Sequence, residues 1–214
     1  MTDPIIPPSE TELDAVSRDS RTLAFYSAEA TNYAAGGTCD NGRHLYPFLD
    51  LLPAKARILE LGCGAGRDAQ AMMAAGFEVD PTDGTPAMAR EAEERLGRPV
   101  RVMRFDELDA VGVYDAVWAY ASLLHVPRQA LPLILSLIFA ALKPGGLHFA
   151  SFKGGTVEGR DIYDRYYNYL SRQDVIEAYE CSSPWEIVSI EEYSGGGYDG
   201  RQGPWIGMLV RKPA

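Results

Sequence analysis

The 214-residue chain, 46% hydrophobic and 23% charged, has the composition of a globular protein long enough to bury a sizeable core. Its 30 acidic against 20 basic residues leave a formal charge of −10, which repels phosphate backbones and points away from nucleic acid, toward a small-molecule ligand. No apolar run reaches the roughly 18 residues of a membrane span, no basic-then-apolar leader opens the chain, and Cys39, Cys63 and Cys181 form no metal or disulfide pattern. The expectation is a cytoplasmic protein with free thiols and no metal, acting as a monomer or homodimer.

Residues 1 to 20 are expected to form a flexible arm, with Ser9 and Glu12 spaced for a helix start, and residues 21 to 214 a single domain. From Thr22 to Tyr33, aromatic and small residues at helical spacing predict a helix, either packed on the domain or lying over a pocket. A second helix runs from about Arg43 to Leu52 and stops at Pro53. The apolar run Ile58 to Leu61 predicts a first strand, entering the turn Gly62-Cys63-Gly64-Ala65-Gly66, with a helix from Arg67 to Ala75 beyond. Strand two begins at Phe77 and is expected to end or distort near Pro81, which cannot donate to a ladder. A helix capped at Thr85 runs to Leu96; strands follow at Val100 to Met103 and Tyr114 to Tyr120. A helix from about Arg128 to Leu142 closes at Lys143-Pro144-Gly145-Gly146, before strand five at Leu147 to Phe152. A polar and aromatic stretch, Lys153 to Tyr169, precedes a helix capped by Ser171 and Asp174. Strands at Trp185 to Tyr193 and Trp205 to Arg211 read as a terminal antiparallel hairpin.

Alternating strands and helices imply an α/β fold: a doubly wound three-layer αβα sandwich around a mostly parallel seven-stranded sheet with a C-terminal antiparallel hairpin. Ligands bind such sheets at the carboxyl ends of the strands. The turn admits two frames. Gly64-x-Gly66-x-x-Ala69 satisfies a dinucleotide fingerprint, but it extends strand one to Cys63 and buries Glu60 in mid-sheet with no evident partner. Starting at Gly62 instead places Glu60 at the strand's carboxyl end, facing the crevice. A carboxylate there suits a positively charged ligand better than a pyrophosphate.

The run Glu60-Leu61-Gly62-Cys63-Gly64-Ala65-Gly66-Arg67-Asp68 resembles the first motif of class I S-adenosylmethionine-dependent methyltransferases, and the likeness continues in register. Asp83, 21 residues after Gly62, stands where those enzymes hold the ribose hydroxyls; Phe105-Asp106 matches the segment bordering the adenine; Leu142 to Gly146 matches their turn before strand five. The likeness is closest to the small tellurite-resistance-type branch. It is carried by Tyr26, Ala30, Tyr33-Ala34, Gly62 to Asp68, Trp118 to Pro127, Ser151-Phe152-Lys153 and Gly155. Asp80-Pro81 and Tyr163-Asp164-Arg165-Tyr166-Tyr167 depart from that pattern, the second where an acceptor would sit.

The resemblance implies the strand order 3-2-1-4-5-7-6 for the sheet and S-adenosylmethionine as cofactor, with contacts from Tyr33, Glu60, Gly62, Cys63, Gly64, Gly66, Arg67, Asp83, Gly84, Phe105, Asp106 and Tyr120. Bland readings stand beside these: a strand-end acid for Glu60, a turn-forming Asp for Asp83, and for Asp106 a solvated acidic face shared with Glu107 and Asp109. His125, directly after strand four, could serve as a base or be merely hydrogen-bonded. Arg165 could pair with an anionic acceptor, and Tyr167 belongs to an aromatic run that is either a lid or acceptor site. The implied activity is in-line methyl transfer to a metalloid oxyanion, a thiol or a small metabolite. Competing expectations are a non-catalytic S-adenosylmethionine-binding protein and an NAD-type oxidoreductase.

Overall fold

The computed structural model describes residues 19–36 and 42–214. Ser9, Glu12 and Cys39 lie outside the described residues. Asp19 and Ser20, expected in the arm, belong instead to the first helix: α1 spans Ser20–Ala35, and the Asp19 carboxylate caps it by accepting from the Thr22 N–H at 2.7 Å. The succeeding elements are α2 (Gly42–Leu49), β1 (Arg57–Leu61), α3 (Arg67–Ala74), β2 (Glu78–Asp83), α4 (Pro86–Leu96), β3 (Arg101–Val102) and β4 (Tyr114–Ala119). After them come α5 (Leu131–Ala141), β5 (Leu142–Lys153), β6 (Glu158–Arg160), β7 (Tyr166–Asn168), α6 (Arg172–Ser182), β8 (Glu186–Gly196) and β9 (Gln202–Arg211).

Seven strands form one sheet in the order β3-β2-β1-β4-β5-β9-β8, parallel from β3 through β5 and antiparallel at β9 and β8. This is the expected order; the numbers shift only because β6 and β7 pair in a separate two-stranded ribbon, unanticipated within Lys153 to Tyr169. Alternation along the strands sorts side chains into two layers. Ile58, Ala116 and Trp118 pack with Leu45 and Phe48 of α2 and Ala69 and Met72 of α3. Leu59, Leu61, Val117 and Ala119 face the opposite way, toward Leu131, Ile134 and Ile138 of α5 and Val175 and Tyr179 of α6. Glu60 shares a face with Ile58, so the strand's one acid is delivered to the α3 side, at the end of β1.

Pro81 does not interrupt β2, contrary to expectation. The Glu78 N–H donates to Ala56 on the β1 side, so alternate N–H groups point there and the position of Pro81 faces β3. The β3 ladder begins only at Thr82, and the missing donor therefore has no partner to lose. The strands of the terminal hairpin run further than expected, β8 extending through Gly196 opposite Gln202 of β9. The Ser171–Asp174 capping box forms as expected: the Asp174 N–H donates to Ser171 Oγ at 3.1 Å, and the Ser171 N–H to Asp174 Oδ2 at 2.9 Å.

Candidate functional site

β1 ends at Leu61, so the loop begins at Gly62, as the second frame requires. Gly62 has φ +75°, and a Cβ there would lie 2.5 Å from Ser122 Cβ, so only glycine fits. The Gly62 and Cys63 N–H groups both donate to the Thr82 carbonyl, at 2.9 and 2.8 Å, which pins the loop to the end of β2. The Gly64 N–H donates to Asp83 Oδ2 at 3.0 Å, while Asp83 Oδ1 accepts from the Thr85 N–H at 2.8 Å. Asp83 is thus both a turn-forming residue and a wall of the cavity that opens over this loop. Gly66 lies elsewhere. It is the N-cap of α3 at φ +74°, and a Cβ there would meet Ala92 and Leu96 at 3.2 Å; it serves helix packing and does not line the cavity.

The cavity concentrates negative charge. Glu60, Asp68 and Asp83 all line it and all are buried. Burial pushes the Glu60 carboxyl well above the usual range, the charges of Asp68 and Asp83 push it further, and only the Ala69 N–H opposes them. Burial likewise raises Asp83 to about 6 against the two N–H groups it accepts. Glu60 Oε2 has no hydrogen-bond partner among the described residues. Asp68 accepts from the Trp118 indole N–H at 2.8 Å. Asp68 belongs to the run that carries the family likeness but not to the contacts the likeness implies; its place beside Arg67 at the start of α3 is the sequence signal for it. Cys63 is buried, and burial followed by the Glu60 charge raises its thiol, so it is a wall and no nucleophile.

Of the other expected cofactor residues, Tyr33, Arg67, Gly84, Phe105 and Tyr120 line the cavity; Asp106 does not. The Asp106 carboxylate stands 3.4 Å from Arg104 Nε and is largely buried. Arg67 donates to the Ala34 carbonyl at 2.9 Å and to that of Gly36, tying the end of α1 to the start of α3. Ala30 of α1 packs on Ala65 of the loop and Met88 of α4, so α1 is a packed helix and a roof at once. After β4 the chain turns sharply at Ala121, whose φ of +51° is uncommon outside glycine. That turn, held by the Ala121 N–H to Ser151 Oγ at 2.8 Å, sets Ser122 and His125 on the cavity wall.

His125 lies in a short 3₁₀ turn, Leu123–His125. Its Nδ1 is 2.6 Å from the Tyr166 carbonyl, an acceptor, so Nδ1 carries the hydrogen and Nε2 accepts from the Tyr26 hydroxyl at 2.9 Å. Burial lowers the His125 pKa to about 4, so the ring is neutral at neutral pH. Arg165 and Tyr167 do not line the cavity. The Arg165 guanidinium, 1% exposed, donates to Asp161 Oδ2 from Nε and Nη2, at 2.9 and 2.6 Å. It is enclosed by the rings of Phe25, Tyr26, Tyr163, Tyr167 and Tyr198, with centroids 4.7 to 5.7 Å from Cζ. The expected pairing with an anionic acceptor is therefore replaced by an internal partner, because the chain supplies its own carboxylate four residues earlier. From Nη1, Arg165 also donates to the Tyr26 hydroxyl at 3.1 Å. The Tyr167 ring packs against His125, centroids 4.6 Å apart, and is buried. Tyr26 lines the cavity but was noted in the sequence only for its helical spacing and family likeness. Among the described residues, no helix is long and apolar enough to cross a membrane.

Residues 58–146 match a family model described as a methyltransferase domain. A ubiquinone biosynthesis O-methyltransferase of Xanthomonas axonopodis pv. citri is 34% identical over 113 residues, 50% of this chain and 46% of the relative. The chain thus spans about half the length of that curated relative. Among solved structures, a 1,6-didemethyltoxoflavin-N1-methyltransferase of Burkholderia thailandensis, with its substrate and S-adenosylhomocysteine bound, aligns with TM-score 0.63 and 21% identity over 95% of this chain and 87% of its own. The [4+2]-cyclase SpnF aligns with TM-score 0.73 and 17% identity, over 93% and 98%. At such identities these structures share the fold.

Proposed function

We propose that this chain, which carries an S-adenosylmethionine-dependent methyltransferase domain, transfers a methyl group to a small-molecule acceptor. The observation that carries this reading is the buried, unpartnered Glu60 Oε2 in a glycine-lined cavity that also holds Asp68 and Asp83. Uncompensated buried carboxylates favour a ligand bringing positive charge and hydrogen-bond donors. S-adenosylmethionine fits, with its ammonium at Glu60, its ribose hydroxyls on the acceptor positions that Asp83 has left, and its adenine beside Phe105. A pyrophosphate does not fit, since it would face three carboxylates, and Gly66 of the dinucleotide frame packs on α4.

When bound, the cofactor supplies a methyl already activated by sulfonium charge. The chain's own work is to align and to exclude water. The rigid loop between β1 and α3 fixes the floor, α1 roofs it, and Tyr26 and His125 stand on the wall. The O-methyltransferase relative supports a small protic acceptor, and the tellurite-type likeness a metalloid oxyanion. A second reading is cofactor binding without methyl transfer: the same fold also serves a [4+2]-cyclase, so the fold by itself does not fix the reaction.

Calorimetry with S-adenosylhomocysteine and with NAD tests the reading. S-adenosylhomocysteine should bind and NAD should not; the reverse sinks the proposal. Glu60→Gln should weaken binding at least about tenfold, or about 1.4 kcal/mol. The affinity should also fall as pH drops below about 6, where Asp83 takes up a proton and ceases to be a full acceptor. Transfer of a labelled methyl to any acceptor then separates an enzyme from a binding protein.

A further inference from the structure

Neither nitrogen of His125 is free to meet a substrate. Nδ1–H donates to the Tyr166 carbonyl, and Nε2 is covered by the Tyr26 hydroxyl. The phenol oxygen differs: it donates once, accepts once from Arg165 Nη1, and keeps one acceptor position on a residue that lines the cavity. A second observation concerns charge. Three buried carboxylates line this cavity, while Arg165, which reaches Tyr26 from behind the wall, is committed to Asp161. The arginines on the wall are engaged too, Arg67 with carbonyls at the end of α1, Arg104 with Asp106 and Glu107. An anionic acceptor would meet the like charge of Glu60, Asp68 and Asp83, while the two arginines on the described wall already face carbonyls and carboxylates.

We propose that Tyr26 is the catalytic residue that takes the acceptor's proton, that His125 is the positioning residue behind it, and that the acceptor is a neutral phenol. The inference rests on the methyltransferase reading. The acceptor O–H bond breaks as its proton forms a bond to Tyr26 Oη, while Tyr26's own proton passes to His125 Nε2. The electron pair left on the acceptor oxygen is the one that bonds to the methyl carbon; the pair of the broken S–C bond stays on sulfur. His125 becomes imidazolium with Nδ1–H still on the Tyr166 carbonyl, and, since burial disfavours that state, the proton passes back through Tyr26 to water entering the cavity once the product has left. Arg165 Nη1 steadies the phenol oxygen while its proton is in transit. A phenol suits the relay because burial holds Tyr26 above the usual tyrosine range, so an ordinary phenol is the more acidic of the two and gives its proton toward it. The charged groups facing His125 are Arg165 and Asp161 from the ribbon loop and Lys153 from β5, with Tyr26 from α1 and Tyr167 from β7 beside them.

The test uses the full chain, labelled S-adenosylmethionine, and phenols of graded acidity from phenol to 4-nitrophenol, with thiophenol, tellurite and selenite as rivals. Phenols should be methylated, and Tyr26→Phe and His125→Asn should each slow the weakly acidic phenols about 100-fold or more. The deficit should shrink toward none for 4-nitrophenol above its pKa, where no proton remains to be taken. Nitrogen-15 spectra of His125 should show hydrogen on Nδ1 only, with the Nε2 signal moved in Tyr26→Phe. Equal deficits for ionised and protonated phenols would make Tyr26 structural and overturn the relay. Turnover of tellurite, selenite or thiophenol with phenols inert would overturn the acceptor class while leaving the methyltransferase reading intact. Failure of the wild type to bind S-adenosylhomocysteine would instead sink that underlying reading.

Discussion

His125 and His148 are held by the same hydrogen bonds in two different places. Each is held at Nδ1 by a backbone carbonyl, Tyr166 for one and Val117 for the other, and each accepts at Nε2 from a tyrosine hydroxyl at 2.9 Å. Burial brings both to a pKa of about 4. The surroundings differ. His148 and Tyr179 are sealed between sheet and α6, with no charged side chain acting on the ring. His125 and Tyr26 open on the cavity and are backed by Arg165, Asp161 and Lys153. One motif in a dry core is a brace, whereas at a cavity wall, with a cation behind it, it becomes a path for a proton. Hydrogen-bond geometry alone therefore does not separate structure from function; access and nearby charge do.

The largest expected effect comes from removing the charge that distinguishes the two sites. Arg165→Met leaves the nearly buried Asp161 carboxylate without its ion pair and should cost about 3–5 kcal/mol in urea unfolding; a loss below about 1 kcal/mol would mean the pair contributes little. Next, Tyr179→Phe strips the partner from a fully buried Nε2 and should cost about 1–3 kcal/mol with turnover retained. Tyr26→Phe should do the opposite, costing under about 1 kcal/mol while turnover of protonated acceptors collapses. Equal stability losses in the two would erase the contrast.

The smallest effect is in pH dependence. Both histidines have folded pKa values near 4, below the ordinary 6.5, so the unfolded chain takes up protons first. Their contribution to stability is whole above 6.5 and is lost as pH falls from there toward 4. Tyr26→Phe, by removing the donor that favours neutral imidazole, should raise the His125 value and leave His148 unmoved, as a proton NMR titration would read.

Much of this was legible in the chain because the signals are local. An apolar strand, glycines needing positive φ, and an acid just before them specify the β1 loop, and a fixed spacing leads to Asp83. The rest depends on neighbours distant in sequence. Gly66 belongs to the same motif, yet its role is set by Leu96 and Ala92. Pro81 is harmless only because β3 is short. The strands of the ribbon, three residues each, carry no readable period. In the sequence Arg165 reads as a cation that could pair with an anionic acceptor; only packing reveals that tyrosines enclose it, and that Tyr26 of α1 meets His125 across ninety-nine positions.

The rings around Arg165 come from α1, from the ribbon and its loop, and from the turn between β8 and β9. One guanidinium is thus a shared rivet. Any single segment that swings away withdraws its ring from a cation the others still hold, so the three gain little by parting separately. Opening of this end of the molecule should behave as one cooperative event, with amide hydrogen exchange in all three segments following a common rate.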